Sequence, residues 1–426
     1  MTADSGARAD WQMITAVAQR MGFGAQFAYR CPADIFREHA ALSAFENNGE
    51  RDLDLGALAT LSDADYDALA PTYWPCSAGA PATVEPHEIF ASGRFFTPNR
   101  RARMVPIRSA GVARAACDRY PLLLNSGRLR DQWHTMTRTQ RAARLNRHRP
   151  WPTVTVHPLD ARQAGVSAGD IARMRSRHGH ADLVVRCSRR VQPGTVFAPM
   201  HWSDQVASAA RIDALFEGVP DPVSHQPELK SEPVALGPLG VHTHALWLCR
   251  SANETPRHAA AAKAAFWATA PFERCEAYAF GFVDDAFDRD AWLATLMPDA
   301  TATLRRERDG EVAMVASVAD DRLAAVVVLS ARPNAAQVNW YAALFDENPL
   351  SADGKAALLR GAPGADVVVN SGGATLCACH GTEVDAVTAV VEDGLACNAD
   401  TVGALTRAGT RCGSCIPEIE QIIEGG

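Results

Sequence analysis

The sequence predicts a multidomain α+β chain: a helical lead-in, a compact β-barrel or sandwich, a smaller α+β domain and an all-helical C-terminal module. Three observations predict it. A chain of 426 residues, 47% hydrophobic and 21% charged, is too long for one ordinary domain and too apolar to stay unfolded. Helical periodicity near the start gives way, from Tyr120, to short apolar runs punctuated by Gly and Pro. Five of the eleven cysteines crowd into the last 50 residues, among helix start and stop signals.

In the lead-in, Trp11, Ile14, Val17, Ala18 and Met21 recur at helical spacing, and a second helix is expected over 32–41. Ser62 is placed to cap a short acidic helix that stops before Pro71, and 71–106, rich in Pro, Gly and Ser, should be irregular. After Tyr120 the runs YPLLLNSG, TVTVHP, DIARMRS, ADLVVRCS and GTVFAPMHW read as strands, with one short helix over 160–164 closed by Gly165. This domain should end near Leu236. Residues 242–361 mix an Ala-rich helix over 259–270, a helix over 290–297 and β-rich runs such as LAAVVVLSA, and offer no chemistry of their own.

Composition excludes several function classes. The longest apolar stretch, near 323–331, is far short of the ~20 residues of a membrane-spanning helix, and the N-terminus lacks a basic-then-apolar leader. A soluble, cytoplasmic protein without a membrane partner is expected. The odd cysteine count argues against a secreted disulfide framework, and Cys31, Cys76, Cys117, Cys187, Cys249 and Cys275 are spaced like ordinary core thiols. The net charge of -7 hides an asymmetry. Residues 100–150 hold thirteen Arg against Asp118 and Asp131, a net of +11, while 377–426 hold eight carboxylates against Arg407 and Arg411, a net of -6. The basic window lacks the interleaved aromatics of a nucleic-acid surface, so no nucleic acid is expected as partner. Its outer arginines, Arg141, Arg144, Arg147 and Arg149, read as a solvated face or as contacts to a domain outside this chain.

The C-terminal cysteines form Cys377-x-Cys379 and Cys412-x-x-Cys415. Two close pairs of soft thiolates suit an iron–sulfur cluster or structural zinc. Val384, Val387 and Val391 mark one face of a helix after Cys379, and Pro417 opens another after Cys415, so both pairs are expected at helix N-termini. Helix N-termini favour an anionic group. A zinc tetrathiolate is anionic too, but zinc ribbons usually set their knuckles on β-turns, which favours iron–sulfur with zinc as the alternative. Cys397 falls between helices as a bystander.

A second constellation is NSGRLRDQWHTMTRT, residues 125–139. Gly127 lets backbone approach a ligand, Arg128 can chelate phosphate with two parallel bonds, and Gln132, Trp133, His134, Thr135 and Thr137 supply a flat ring and hydrogen-bonding groups. That set suits a nucleotide with a pyrophosphate. Neither a P-loop nor a G-x-G-x-x-G turn is present.

These residues carry two resemblances. CACHGTEVDAVTAVVEDG through GTRCGSCIPEIEQII resembles the helical [2Fe-2S] module of bacterioferritin-associated ferredoxin type, which implies Cys377, Cys379, Cys412 and Cys415 as ligands. The 125–139 stretch resembles the molybdopterin dinucleotide-binding domain of assimilatory nitrate reductases, as do VHPLDARQAGVSAGDIARMRSRHG, VQPGTVFAPMHW and DPVSHQPELK. FREHAALSAFENNGERDLDL and GRFFTPNRRARMV are similar to the linker before that domain. The resemblance implies a double-psi-like barrel that holds a Mo-bis(molybdopterin guanine dinucleotide) cofactor through Ser126, Gly127, Arg128, Gln132, Trp133, His134, Thr135, Thr137 and Lys230. It puts Pro199, His201 and Trp202 beneath the cofactor, and it leaves open the contact made where this chain has Asp213. It divides the chain into 1–110, a remnant of the molybdenum domain and linker; 111–237, the barrel; 238–370, a connecting α+β domain; and 371–426, the cluster module.

The family opens with a cysteine motif for a [4Fe-4S] cluster and places a molybdenum ligand downstream. This sequence has neither, so no catalytic residue is expected in it and the [4Fe-4S] cluster belongs to a missing N-terminal part. The chain is expected to be the C-terminal part of a nitrate reductase catalytic subunit, by truncation, gene splitting or a misplaced start. Its expected partners are an electron-donor protein or reductase subunit and the missing catalytic domains. The alternative is a free-standing electron-transfer or adaptor protein.

Overall fold

The computed structural model describes residues 6–79, 89–106, 111–250, 258, 260–284, 287–297, 304–308, 311–362 and 375–425. The chain divides between Ser109 and Ala110 into two units. The first holds α1 (Asp10–Arg20), α2 (Pro32–Ala44) and α3 (Asp63–Asp67). Proline opens α2, where its missing N–H costs nothing. The Ser62 hydroxyl caps α3 by accepting from the Asp65 amide at 3.1 Å, as its position before an acidic run suggested. Ala40, Leu58 and Cys76 form a small core, and the described residues of 71–106 hold no helix or strand.

The second unit begins with six short strands: β1 (Leu122–Gly127), β2 (Thr153–Val156), β3 (Ile171–Arg175), β4 (His180–Cys187), β5 (Thr195–Pro199) and β6 (Glu232–Pro238). Between them lie the short helices α4 (Ala143–Asn146) and α5 (Pro158–Gln163). The strands close into a barrel in the order β1-β5-β2-β4-β3-β6, resolving the barrel-or-sandwich choice. β1/β5 and β2/β4 are parallel, and the other neighbours are antiparallel. Closure removes exposed edges, and Leu124, Val154, Val156, Ala172, Met174, Leu183 and Val196 fill the interior. The parallel register Gly127↔Pro199 brings the C-terminal ends of β1 and β5 side by side. The segments that follow them, each with residues of the anticipated dinucleotide site, therefore leave the barrel at one end.

A six-stranded antiparallel sheet follows, built from β7 (Thr243–Cys249), β8 (Phe266–Pro271), β9 (Glu276–Phe282), β10 (Leu304–Arg308), β11 (Glu311–Ala319) and β12 (Arg322–Ser330). Helices α6 (Arg289–Leu296), α7 (Val338–Leu344) and α8 (Ala352–Arg360) accompany it. The Ala-rich helix expected over 259–270 is corrected in its second half, which is strand β8 paired along its length with β9. Phe266, Ala268 and Ala270 are buried in alternation, so the period is two despite alanine's helix propensity. One hydrophobic core runs from Leu124 and Val154 in the barrel to Leu246, Phe266 and Val326 in the sheet.

The C-terminal module holds β13 (Thr375–Cys377), β14 (Thr382–Glu383), α9 (Val384–Glu392), α10 (Ala399–Thr406) and α11 (Ile416–Gly425). It is therefore not all-helical: β13 and β14 pair as a two-stranded ladder ahead of the helices. Leu376, Val387, Val402, Ala408 and Ile419 pack its core. Among the described residues, no helix is long and apolar enough to cross a membrane.

Candidate functional site

The four module cysteines come from two turns. Cys377 ends β13 and Cys379 lies in the turn before β14, where Gly381 takes a positive φ of 69°. Cys412 and Cys415 bracket a turn at Gly413, φ 73°, that enters α11. The sulfurs of Cys379 and Cys412 stand 3.3 Å apart, Cys377 lies beside Cys415, and no disulfide joins them. Cys415 sits at a helix N-terminus as expected, its carbonyl accepting from the Glu418 and Ile419 amides at 3.1 and 3.0 Å. Cys377 and Cys379 do not, because the ladder and the Gly381 turn occupy 375–383 and α9 starts only at Val384. Bonds from Ser414, together with Cys379, lower the Cys412 thiol to about 7, while burial raises Cys415 to about 11. Cys397 lies exposed between α9 and α10, apart from this group.

The cysteines open onto a cavity of about 460 Å³ whose opposite wall is the barrel segment Arg130, Gln132, Trp133 and Arg144. Arg144 donates to the Cys379 carbonyl at 3.4 Å. Arg130 donates to the Leu376 carbonyl and pairs with Glu418 at 3.1 Å. Beside it, Asp131 Oδ2 lies 3.0 Å from Arg130 Nε and 2.7 Å from His148 Nδ1. Arg149, desolvated and facing Arg186, has its pKa pushed down to about 10, with Glu418 opposing the shift. Arg147 pairs with Glu273 at 2.8 Å. Most of the arginine run read as a solvated face thus meets acidic or carbonyl groups of this same chain, and Arg141 alone of the four is exposed without such a contact among the described residues.

The dinucleotide segment divides into groups that build the loop and groups that face outward. Gly127 is required, since a Cβ there would lie 2.6 Å from the Phe197 ring. The Ser126 hydroxyl donates to the Leu229 carbonyl at 2.6 Å, and Lys230 donates to the Ser126 carbonyl, tying the two segments together. Gln132 is buried: its amide donates to Asn146 at 3.2 Å and accepts from Thr139 at 2.6 Å. Arg128, Trp133, His134, Thr135 and Thr137 are exposed. His134 and Met136 adopt positive φ of 43° and 61°, backbone strain of the kind held at ligand clamps. Fully buried His201 fixes that strain by accepting from the Leu129 amide at 2.7 Å through Nε2 and contacting the His134 carbonyl at 2.6 Å through Nδ1. Burial lowers its pKa, and the two contacts define a neutral ring protonated on Nδ1. Trp202 is core, and Asp213 is exposed on a short 3-10 turn. Sequence reading passed over Asn146, whose amide bonds to the Thr139, Gln140 and Ala142 carbonyls within 3.2 Å, and Arg130. Arg130 stands inside the quoted motif, so charge next to a recognised segment was the available signal.

Two pairs of thiols lining one cavity without a disulfide fit an iron–sulfur ligand set, and an outward ring, guanidinium and hydroxyls over a glycine gap fit a nucleotide. Comparison with known proteins agrees: residues 122–233 match the molydopterin dinucleotide binding domain, and 375–425 match the BFD-like [2Fe-2S] binding domain. The chain joins these two modules. Molybdopterin dinucleotide and a [2Fe-2S] cluster are therefore its cofactors. The chain is similar to nitrate reductases. It is 34% identical to a nitrate reductase of Klebsiella oxytoca over 98% of its own length and 46% of that protein's. It is 33% identical to one from Shewanella frigidimarina over 56% of this chain and 28% of that protein, and 34% identical to one from Synechocystis over 55% and 32%. The chain thus spans less than half the length of each of these relatives.

Proposed function

We propose that this chain is the C-terminal portion of a molybdenum oxidoreductase that reduces nitrate to nitrite. The observation that carries this reading is that the four module cysteines line one cavity with Arg130, Gln132, Trp133 and Thr139 of the barrel loop. A double-psi-like barrel, residues 111–237, would hold one side of a Mo-bis(molybdopterin guanine dinucleotide) cofactor. Arg128 would chelate a phosphate, Trp133 offer its ring, and His134, Thr135 and Thr137 bond to polar edges, while Ser126, Gln132 and Lys230 keep the loop in place. Residues 238–370 would support the barrel, and 371–426 would hold the cluster on Cys377, Cys379, Cys412 and Cys415. Bound there, the cluster supplies one-electron relay, and molybdenum and pterin supply the oxygen-atom chemistry. Residues 1–110 would belong with the molybdenum domain. Catalytic domains with a [4Fe-4S] cluster, and an electron donor, would come from outside this sequence. Eleven free cysteines suit a reducing, cytoplasmic setting.

The purified chain should be coloured and, after dithionite reduction, give the rhombic paramagnetic-resonance signal of a [2Fe-2S] cluster. Cys412→Ser should bleach it while the barrel's circular dichroism persists. A colourless protein carrying zinc, or colour that survives the substitution, would overturn the ligand assignment.

A further inference from the structure

We propose that Arg130 is a positioning residue that seats the [2Fe-2S] module against the dinucleotide barrel and, with Glu418 acting in the opposite sense, sets the reduction potential of the cluster. This rests on the cluster reading above and assigns to the barrel a task beyond holding nucleotide.

Arg130 reaches both halves of the ligand set. It donates to the carbonyl of Leu376, the neighbour of Cys377, and pairs at 3.1 Å with Glu418, on the first turn of the helix that Cys415 opens. Its side chain is only 15% exposed, so solvent screens it weakly. Arg130 and the four cysteines line the same cavity. Asp131, 3.0 Å from Nε, holds the guanidinium in place and leads directly into Gln132 and Trp133. The peptide 130–133 is thus at once wall of the cysteine cavity and start of the dinucleotide loop.

The electrostatic sense follows from charge. Four thiolates and two sulfides outweigh two ferric ions, so the oxidised cluster is an anion and an added electron makes it more so. A fixed cation nearby favours the reduced form and a fixed anion disfavours it, since net charge and hydrogen bonding around the sulfurs tune such potentials. Arg130 is the cation of that wall that also ties to the module's backbone and first helix, with Arg144 and Arg411 further cations on the wall, and Asp131 and Glu418 are the carboxylates beside it; Glu418 is held by Arg130 and lies 3.7 Å from His148 Nε2.

The test is a potentiometric titration with dithionite, followed by visible absorption, on the full chain carrying its cluster. Arg130→Gln should lower the midpoint potential, Glu418→Gln should raise it, and Arg130→Lys should fall between wild type and Arg130→Gln. A role in packing alone would move both neutral variants the same way, and that result, or two unchanged midpoints, would overturn the proposal. If Arg130→Gln fails to retain the cluster, the sign of the Glu418→Gln shift decides. A wild-type chain that takes up no [2Fe-2S] cluster would overturn the underlying reading instead.

Discussion

At position 127 a single methyl group decides whether the dinucleotide loop can form. An added Cβ would lie 2.6 Å from the Phe197 ring, closer than two carbon atoms approach, and Phe197 is fixed by its register with Asn125 across β1 and β5. Gly127→Ala should destabilise the barrel by about 1–3 kcal/mol, the usual range for overpacking. Chemical denaturation of Gly127→Ala and of Gly127→Ala/Phe197→Leu measures this. The double variant should recover most of the loss, and equal losses in both would show that the ring is not the obstacle. Ser-Gly-Arg was legible in sequence because each residue type is rare in its role. The support beneath it was not: the partner of Gln132 is Asn146, and the strained His134 carbonyl rests on His201. Those contacts span 14 and 67 residues, and no local pattern encodes them.

Among the elements, the C-terminal module is the one whose folding should depend on its ligand. Two of its eight buried core residues are Cys377 and Cys415. A segment this short buries little apolar surface, so cluster binding should contribute much of its stability. Removing iron with a chelator should strip hydrogen-exchange protection from α9, α10 and α11 while β1 to β6 keep theirs. Unchanged protection in the helices would show that the module folds without its cluster. Helix α9 was readable from valine spacing and α11 from Pro417, whereas α10, with no such spacing, was not read. The β13–β14 ladder was not, because three residues pairing with two across a glycine turn leave no periodicity. β8 was misread because its alanines favour a helix locally, and only pairing with β9 overrides that preference.

Across the whole molecule, the sequence displayed a basic window and an acidic tail but not that they meet. In three dimensions Glu418 of the tail faces Arg130 of the window, so the charge asymmetry reflects an internal interface as well as any external partner. Packing has the same character. Composition suggests a boundary near 237, yet Leu124 of β1 and Phe266 of β8, both fully buried, belong to one continuous core. The barrel and the six-stranded sheet should therefore unfold together, although each reads as a separate segment. Leu124→Ala and Phe266→Ala, each expected to cost about 2–5 kcal/mol, should lower the same main calorimetric transition. Two transitions, each moved only by its own substitution, would show that the shared core does not couple them. Coupling would matter for the site, because the loop after Gly127 is strained at His134 and Met136. Such strain persists only on a support that does not open locally. The sheet would then be the brace that lets the barrel hold its loop in shape beside the four cysteines.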